Sequence, residues 1–175
     1  MSESKRSPKE RAEQFVGALR RARNDRGKLA ALRRGLSPAT VMDAWPVVAS
    51  MGGDIGQPVF VVTAALFASH PEESKARNFG ETCRRIAQGE GKEIADSFER
   101  RFRRLLACAD ADDVMGQLRS WVRFAASKGV GVNYESLFAD LWYWPWRADE
   151  IRVNWAKSFW QSEGTVELHP SIAIA

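Results

Sequence analysis

The stretch FERRFRRLL (98–106), followed by QLRSWVRFAASKG (117–129), NYESLFADLWYWPW (133–146) and IRVNWAKSFW (151–160), decides the fold. Six of the seven tryptophans lie in these stretches, and a dense run of arginines lies beside them. Tryptophan buries a large area, and its N–H requires a partner when it is buried. Arginine presents a planar fork of donors that suits phosphate. We therefore expect this part of the chain to supply both a core and a basic surface.

The first two stretches have the periodicity of amphipathic helices, which turn about 100° per residue. In the first stretch, Arg100 and Arg104 fall opposite the apolar side, and Arg101 lies at the boundary. In the second, Arg119 and Arg123 stand one turn apart, opposite an apolar stripe. Because few carboxylates face these arginines, the pattern predicts a cationic surface that attracts polyanions. The alternative is that they are only solvated helix faces, since charged residues usually stay exposed.

The composition excludes several classes of protein. The chain has 175 residues, of which 45% are apolar, so it is long and apolar enough for one globular domain. Its net charge is +4, with a pI near 9.3. The two cysteines, Cys83 and Cys108, form no paired motif and fit a reduced, cytoplasmic protein without a zinc site. No run of about 18 apolar residues predicts a membrane span, and no motif predicts a cofactor.

Start signals divide the chain into helices. Ser7, Asp110 and Asn133 each precede an apolar periodic segment and are predicted N-caps. The almost wholly apolar segment 59–69 predicts a buried helix, and His70 is interpreted as its terminus. A metal site built from Asp110, Asp112 and Asp113 is the alternative to capping, but capping accounts better for carboxylates at the positive end of a helix.

Glycine and proline supply the stop signals. A short helix over 28–34 is expected to end at Gly35, and Pro46 is expected to kink or end the helix that contains it. Pro145 is expected to end one helix before a last helix over 148–160. The sum is an all-α, single-domain bundle of about eight to nine helices. It would occupy residues 7–162, with flexible tails at 1–6 and 163–175.

The motifs LAALRRGL (29–36), ERRFRRLL (99–106), QLRSWVRFAASKGVGVNYESLFADLWYW (117–144) and VNWAKSFW (153–160) together resemble a known family. The sequence is similar to the CasB-type small subunit of Cascade, the type I-E CRISPR surveillance complex. The similarity covers roughly residues 9–160, and the order of the motifs carries it.

The resemblance implies an all-helical subunit without catalytic activity, present in two copies within a ribonucleoprotein. Its implied partners are CRISPR RNA, target DNA, and the backbone-forming and large subunits of the complex. It would grip the nucleic-acid backbone and stabilise the displaced non-target strand. The candidate nucleic-acid-binding residues are Arg33, Arg34, Arg100, Arg101, Arg104, Arg119, Arg123, Lys128, Arg147, Arg152 and Lys157.

Three other classes of function remain. The chain could be a helical scaffold whose basic faces pair with acidic partner proteins. A helix-turn-helix DNA reader is a poorer fit, because Pro46 interrupts the segment that would form it. An enzyme is the weakest hypothesis, since no histidine, cysteine or carboxylate stands in a recognisable catalytic setting.

Overall fold

The computed structural model describes residues 6–91 and 93–161, and over those residues it forms eight α-helices. They are α1 (Pro8–Arg21), α2 (Arg26–Arg33), α3 (Trp45–Ser50), α4 (Pro58–Ser69), α5 (Phe79–Gln88), α6 (Asp96–Leu106), α7 (Ala111–Lys128) and α8 (Tyr134–Trp160). The predicted all-α, single-domain fold is confirmed. None of the described helices is long and apolar enough to cross a bilayer. The predicted tails, apart from Arg6, lie outside the described residues, and the domain boundaries stay predictions.

Side-chain caps begin five of these helices, and the N-caps predicted at Ser7, Asp110 and Asn133 are confirmed. Ser7 accepts a hydrogen bond from the Glu10 amide, and the Glu10 carboxylate accepts one in return from the Ser7 amide. Asp110 and Asn133 cap α7 and α8 by accepting hydrogen bonds from the amides of Asp113 and Ser136. The other two caps are Asp25 and Asn78. Each cap satisfies a backbone N–H that has no partner inside the helix.

Helix α4 is buried on almost every side and forms the centre of the bundle. Its Phe60 packs edge-on against Phe15 of α1 and Phe138 of α8, each with ring centroids 4.9 Å apart. Its Phe67 packs against Tyr134, at the start of α8, at 5.3 Å. The buried helix predicted over 59–69 is therefore confirmed, and it begins one residue earlier, at Pro58.

Helix α8 folds back on itself. Its backbone leaves the helical region at Arg147 (φ −133°, ψ 26°), and the indole Nε1 of Trp155 donates to Asp140 Oδ2 at 2.7 Å. In a straight helix, positions 15 residues apart would be about 22 Å apart. Two arms, 134–146 and 148–160, therefore turn back towards each other. The predicted break near Pro145 is correct, although hydrogen bonding continues past the proline and the turn comes two residues later.

The second arm of α8 approaches α5 too closely for a side chain to fit between them. A Cβ atom added to Gly80 would lie 2.1 Å from the carbonyl oxygen of Trp155. Beside this contact, the rings of Phe79 and Trp155 are 5.5 Å apart, and Asn78 Nδ2 donates to the carbonyl of Asn154 at 3.2 Å. The glycine thus sets the separation of the two helices.

Two predictions about the region between α2 and α4 are wrong. Pro46 lies in the first turn of α3 and does not end a helix, because the first turn needs no N–H from that residue. Helix α2 begins at Arg26 and passes into a 3-10 turn, Arg34–Leu36, so Gly35 is not its left-handed cap. A Cβ atom on Gly35 would lie 3.0 Å from Val61 Cγ1, so the lack of a side chain at position 35 allows the turn to pack closely on α4.

Hydrogen bonds hold the segment after α4 against the chain that precedes α8. His70 ends α4 as predicted, and its Nε2 lies 2.7 Å from the carbonyl oxygen of Val130. The Tyr134 hydroxyl donates to the His70 carbonyl at 2.6 Å. An isolated backbone bridge joins Glu73 to Val132. These contacts hold residues 71–78, the polar loop after α4, against the chain that precedes α8.

Replacing Gly80 with alanine should loosen the joint between α5 and α8. The new methyl group would overlap the Trp155 carbonyl, and overpacking of this kind costs roughly 1–3 kcal/mol. Urea denaturation of the variant should therefore show a lower free energy of unfolding. Gly116→Ala is the matched control, because nothing lies within 4 Å of a Cβ atom there and alanine favours a helix over glycine by about 1 kcal/mol. Equal stability of the two variants would contradict this packing.

Candidate nucleic-acid interface

Helices α6 and α7 are joined by aromatic side chains. Phe98 of α6 lies 5.8 Å from the Trp121 ring and 5.1 Å from the Phe124 ring, both on α7. One turn later on the same face of α6, Phe102 stacks on Phe159 of α8 at 3.9 Å, with the planes 11° apart. Such pairs add about 0.5–1.5 kcal/mol each beyond area burial. The backbone that carries the candidate arginines is therefore rigid.

Four arginines stand exposed on the outer faces of this pair of helices, and we call them the arginine face: Arg100 and Arg104 of α6, and Arg119 and Arg123 of α7. Within 6–91 and 93–161, none of their guanidinium groups forms an ion pair or a hydrogen bond. The neighbouring Arg103 differs, because Glu99 accepts from its Nη2 at 2.7 Å. Among the described residues, the arginine face therefore presents positive charge that no direct ion pair neutralises.

Two further candidates border the arginine face and rest on aromatic rings. The guanidinium carbon of Arg101 lies 5.1 Å from the centre of the Phe124 ring. Lys128 Nζ lies 5.1 Å from the centre of the Phe98 ring. A cation–π contact orients a cation and contributes about 0.5–1 kcal/mol at exposed sites. It leaves the N–H donors of that cation available to an anion.

The structure also brings the 3-10 turn that follows α2 close to α7. Arg119 lines a shallow cleft together with Gly35 and Leu36, next to Arg34 in the chain. Arg33 and Arg34 are more engaged than the sequence indicated. Arg33 Nε donates to the carbonyl of Ala68, at the end of α4, at 2.9 Å. Arg34 Nη1 pairs with Asp43 at 2.8 Å. Both remain exposed.

The candidates on the second arm of α8 divide by their contacts. Arg152 is half-buried and donates to the carbonyl of Cys108 at 2.6 Å and to Asp149 at 2.8 Å. It therefore ties this arm to the end of α6. Arg147 pairs with Glu150 at 3.0 Å. Lys157 is exposed and, in the part of the chain that the structure describes, has no ion-pair partner.

The acidic cluster that begins at Asp110 and the two cysteines, which were the other candidates for a chemical role, have structural explanations. Asp110 caps α7, and no group of three or more His, Cys, Asp and Glu residues among those described could hold a metal ion. Burial raises the pKa of the Cys83 thiol well above its ordinary value and also raises that of Cys108. Thiols in such surroundings are poor nucleophiles.

Sequence reasoning missed one half-buried carboxylate. Asp140 lies between the two arms of α8, where it accepts the hydrogen bond from Trp155. Burial raises its pKa from 3.8 to about 6, and the hydrogen bond from Trp155 acts in the opposite direction. The periodicity of α8 gave no sign of this, because the contact depends on the turn at Arg147.

Fold and surface together define a small, all-helical protein that presents arginines from a rigid pair of helices. The chain belongs to the family described as CRISPR-associated protein Cse2, because the profile of that family matches residues 28–160, more than half of the chain. The resemblance to CasB-type small subunits is confirmed.

Solved structures share the fold. A Cse2-family protein from Thermus thermophilus is 26% identical, with a TM-score of 0.71 over 86% of this chain and 98% of the other. CasB from Thermobifida fusca is 19% identical, with a TM-score of 0.69 over 87% and 97%. A chain of a CRISPR RNA-guided surveillance complex is 24% identical, with a TM-score of 0.72 over 87% and 92%. No curated protein matches the sequence.

Asp140→Asn should change how stability depends on pH. Because the folded pKa of Asp140 is raised, the folded state holds its proton between pH 3.8 and about 6, whereas the unfolded state releases it. The stability of the wild type therefore falls as pH rises through this window, and above it the loss is complete and no longer changes with pH. Asparagine does not titrate and keeps an oxygen for Trp155.

The free energy of unfolding of the variant, relative to the wild type, should accordingly increase from pH 4 to pH 7. The increase should be at most about 3 kcal/mol, at about 1.36 kcal/mol per pKa unit. Urea denaturation at several pH values measures it. A difference that stays constant across the window would show that Asp140 does not titrate as the structure indicates.

Proposed function

We propose that this chain is a non-catalytic small subunit of a CRISPR RNA-guided surveillance complex of the Cascade type, acting in antiviral defence in the cytoplasm. It grips the backbones of CRISPR RNA and target DNA and stabilises the displaced non-target strand. Its partners are the backbone-forming and large subunits and a second copy of itself. Membership in the Cse2 family and the likeness to a chain of a surveillance complex support this proposal.

The observation that carries the proposal is the arginine face. Exposed cations contribute little to the stability of a fold, so four arginines that pair with no carboxylate in the described part of the chain have no evident structural role. Clustered positive charge attracts a polyanion, and binding to phosphates gains free energy from released counterions. Arginines on rigid helices contact backbone without reading bases. That suits a complex in which a guide RNA reads the sequence by base pairing.

A protein–protein scaffold is the second candidate, and one observation favours it. Trp146 is 74% exposed, beside the turn of α8. Exposed aromatic side chains mark surfaces that bind proteins. On this hypothesis the arginine face would pair with acidic surfaces of neighbouring subunits. Nucleic-acid binding and a scaffold role predict different effects when arginines of the arginine face are removed.

The test is to change Arg119 and Arg123 together to alanine in the reconstituted complex and to measure target-DNA affinity at several salt concentrations. Removing each phosphate contact should flatten the log–log salt dependence by roughly 0.7–0.9. The complex should still assemble, because surface changes of this kind alter stability within about 0.5 kcal/mol.

The matched control is Arg23→Ala with Arg26→Ala, which removes the same charge at the connection between α1 and α2. It should leave the salt dependence as in the wild type. Impaired assembly of the Arg119/Arg123 variant, with the salt dependence unchanged, would favour the scaffold and contradict phosphate binding. An equal effect of both double variants would mean that only net charge matters.

A further inference from the structure

A second basic site, which the sequence motifs did not indicate, lies between the polar loop after α4, helix α5 and the end of α8. This cleft is lined by Lys75, Arg77, Arg84, Arg85, Ser158 and Gln161. One carboxylate, Glu81, and the amide side chain of Gln88 complete the lining. The cleft therefore carries four cations against one anion. The doublet Arg84-Arg85 is visible in the sequence, but its meeting with Lys75 depends on the fold.

Two of the four cations are held in position by the fold. Arg84 Nη1 donates to the carbonyl of Phe159, in the last turn of α8, at 2.5 Å. Arg85 Nη2 donates to Glu81, one turn earlier on α5. A guanidinium group has five N–H donors, so each contact leaves others for a ligand. Because these side chains are already ordered, binding costs less conformational entropy than ordering free arginines.

The lining indicates which class of ligand fits. All eight lining residues are polar or charged. Protein interfaces have a core of apolar and aromatic side chains, whereas nucleic-acid interfaces are more polar and much more positively charged. Phosphate oxygens match arginine, lysine, hydroxyl and amide donors together. The cleft therefore suits a phosphate-bearing strand better than an acidic protein.

The cleft also adjoins helix α6. Trp160 lies in the chain between two lining residues, Ser158 and Gln161, and its ring is 5.4 Å from that of Phe102 on α6. The guanidinium carbon of Arg103 lies 5.1 Å from the centre of the same Trp160 ring. Trp160 and Arg103, which also pairs with Glu99, thus connect α6 with the end of α8 that lines the cleft.

We propose that the cleft binds backbone phosphates of a nucleic-acid strand and continues the path of the arginine face beyond α6. The inference rests on the proposed function and adds a second contact region to it. Lys75 and Arg85 can be replaced without removing a hydrogen bond to α8. Arg84 cannot, because it donates to the carbonyl of Phe159 in the last turn of α8.

The experiment therefore uses Lys75→Ala with Arg85→Ala in the reconstituted complex and leaves Arg84 in place. Melting of the isolated full chain, followed by circular dichroism, first checks that the variant folds. The log–log salt dependence of target-DNA affinity should flatten by roughly 0.7–0.9 for each phosphate contact removed. The Arg23→Ala, Arg26→Ala control should show no such change. Combining the cleft variant with Arg119→Ala and Arg123→Ala should add the two effects.

The outcomes separate the cleft from the proposed function. If the salt dependence flattens in the Arg119/Arg123 variant but not in the cleft variant, the cleft proposal is overturned and the proposed function stands. If neither variant alters it, both fail. A folded cleft variant that no longer assembles would assign the cleft to a protein neighbour and overturn the proposal.

A comparison with inorganic phosphate tests whether the cleft binds a free anion or a nucleic-acid strand. A single-stranded oligonucleotide should raise the melting temperature of the wild-type chain more than that of the cleft variant. Sodium phosphate at the ionic strength of a sodium chloride reference should raise the two equally. If phosphate alone reproduces the whole difference between wild type and variant, the cleft is a site for free anions and the strand proposal is wrong.

Discussion

The contact between Gly80 of α5 and the backbone at Trp155 of α8 fixes the positions of the elements around it. Only glycine permits that approach, since a Cβ atom would lie 2.1 Å from a carbonyl oxygen. The contact seats the second arm of α8 after the chain has turned at Arg147, and it lets Trp155 donate to Asp140 on the first arm. With that arm in place, Phe159 presents the ring on which Phe102 of α6 stacks. The position of α6, and through it of the arginine face, follows from this close packing.

Aromatic and cationic residues alternate along α6 and α7, and in the fold they lie on opposite faces of these helices. The rings of Phe98, Phe102 and Trp121 pack between the helices and stabilise the fold. The arginines at the intervening positions of α6 and α7 point away from that core, where ion pairs would contribute little even if they formed. Positive charge held on a rigid surface repels itself, and this repulsion opposes folding slightly. An external polyanion relieves it, which is the physical link between this packing and the proposed function.

Much of the fold could be predicted from the sequence, because helical periodicity, caps and a continuous apolar run are local signals. Ser7, Asp110 and Asn133 begin helices as predicted, and the segment 59–69 is the buried centre. Pro46 was predicted to kink or end a helix because no side-chain cap marks the start of α3, in whose first turn it lies. Other features depend on neighbours distant in the chain. The outward direction of Arg119 and Arg123 was predictable from spacing. The hydrogen bond from Arg33 to the end of α4, the contact of Asp140 with Trp155 and the meeting of Lys75 with Arg84 were not, because each requires the tertiary fold.

The central claim is that guanidinium groups on the aromatic-packed pair α6 and α7 contact phosphates. An electron cryo-microscopy structure of the reconstituted complex bound to target DNA tests it most directly. We predict phosphate oxygens within about 3 Å of the Arg119 and Arg123 side chains, the usual hydrogen-bonding distance, with no base edges in contact. A structure in which these two arginines instead pair with carboxylates of a neighbouring subunit would contradict the account.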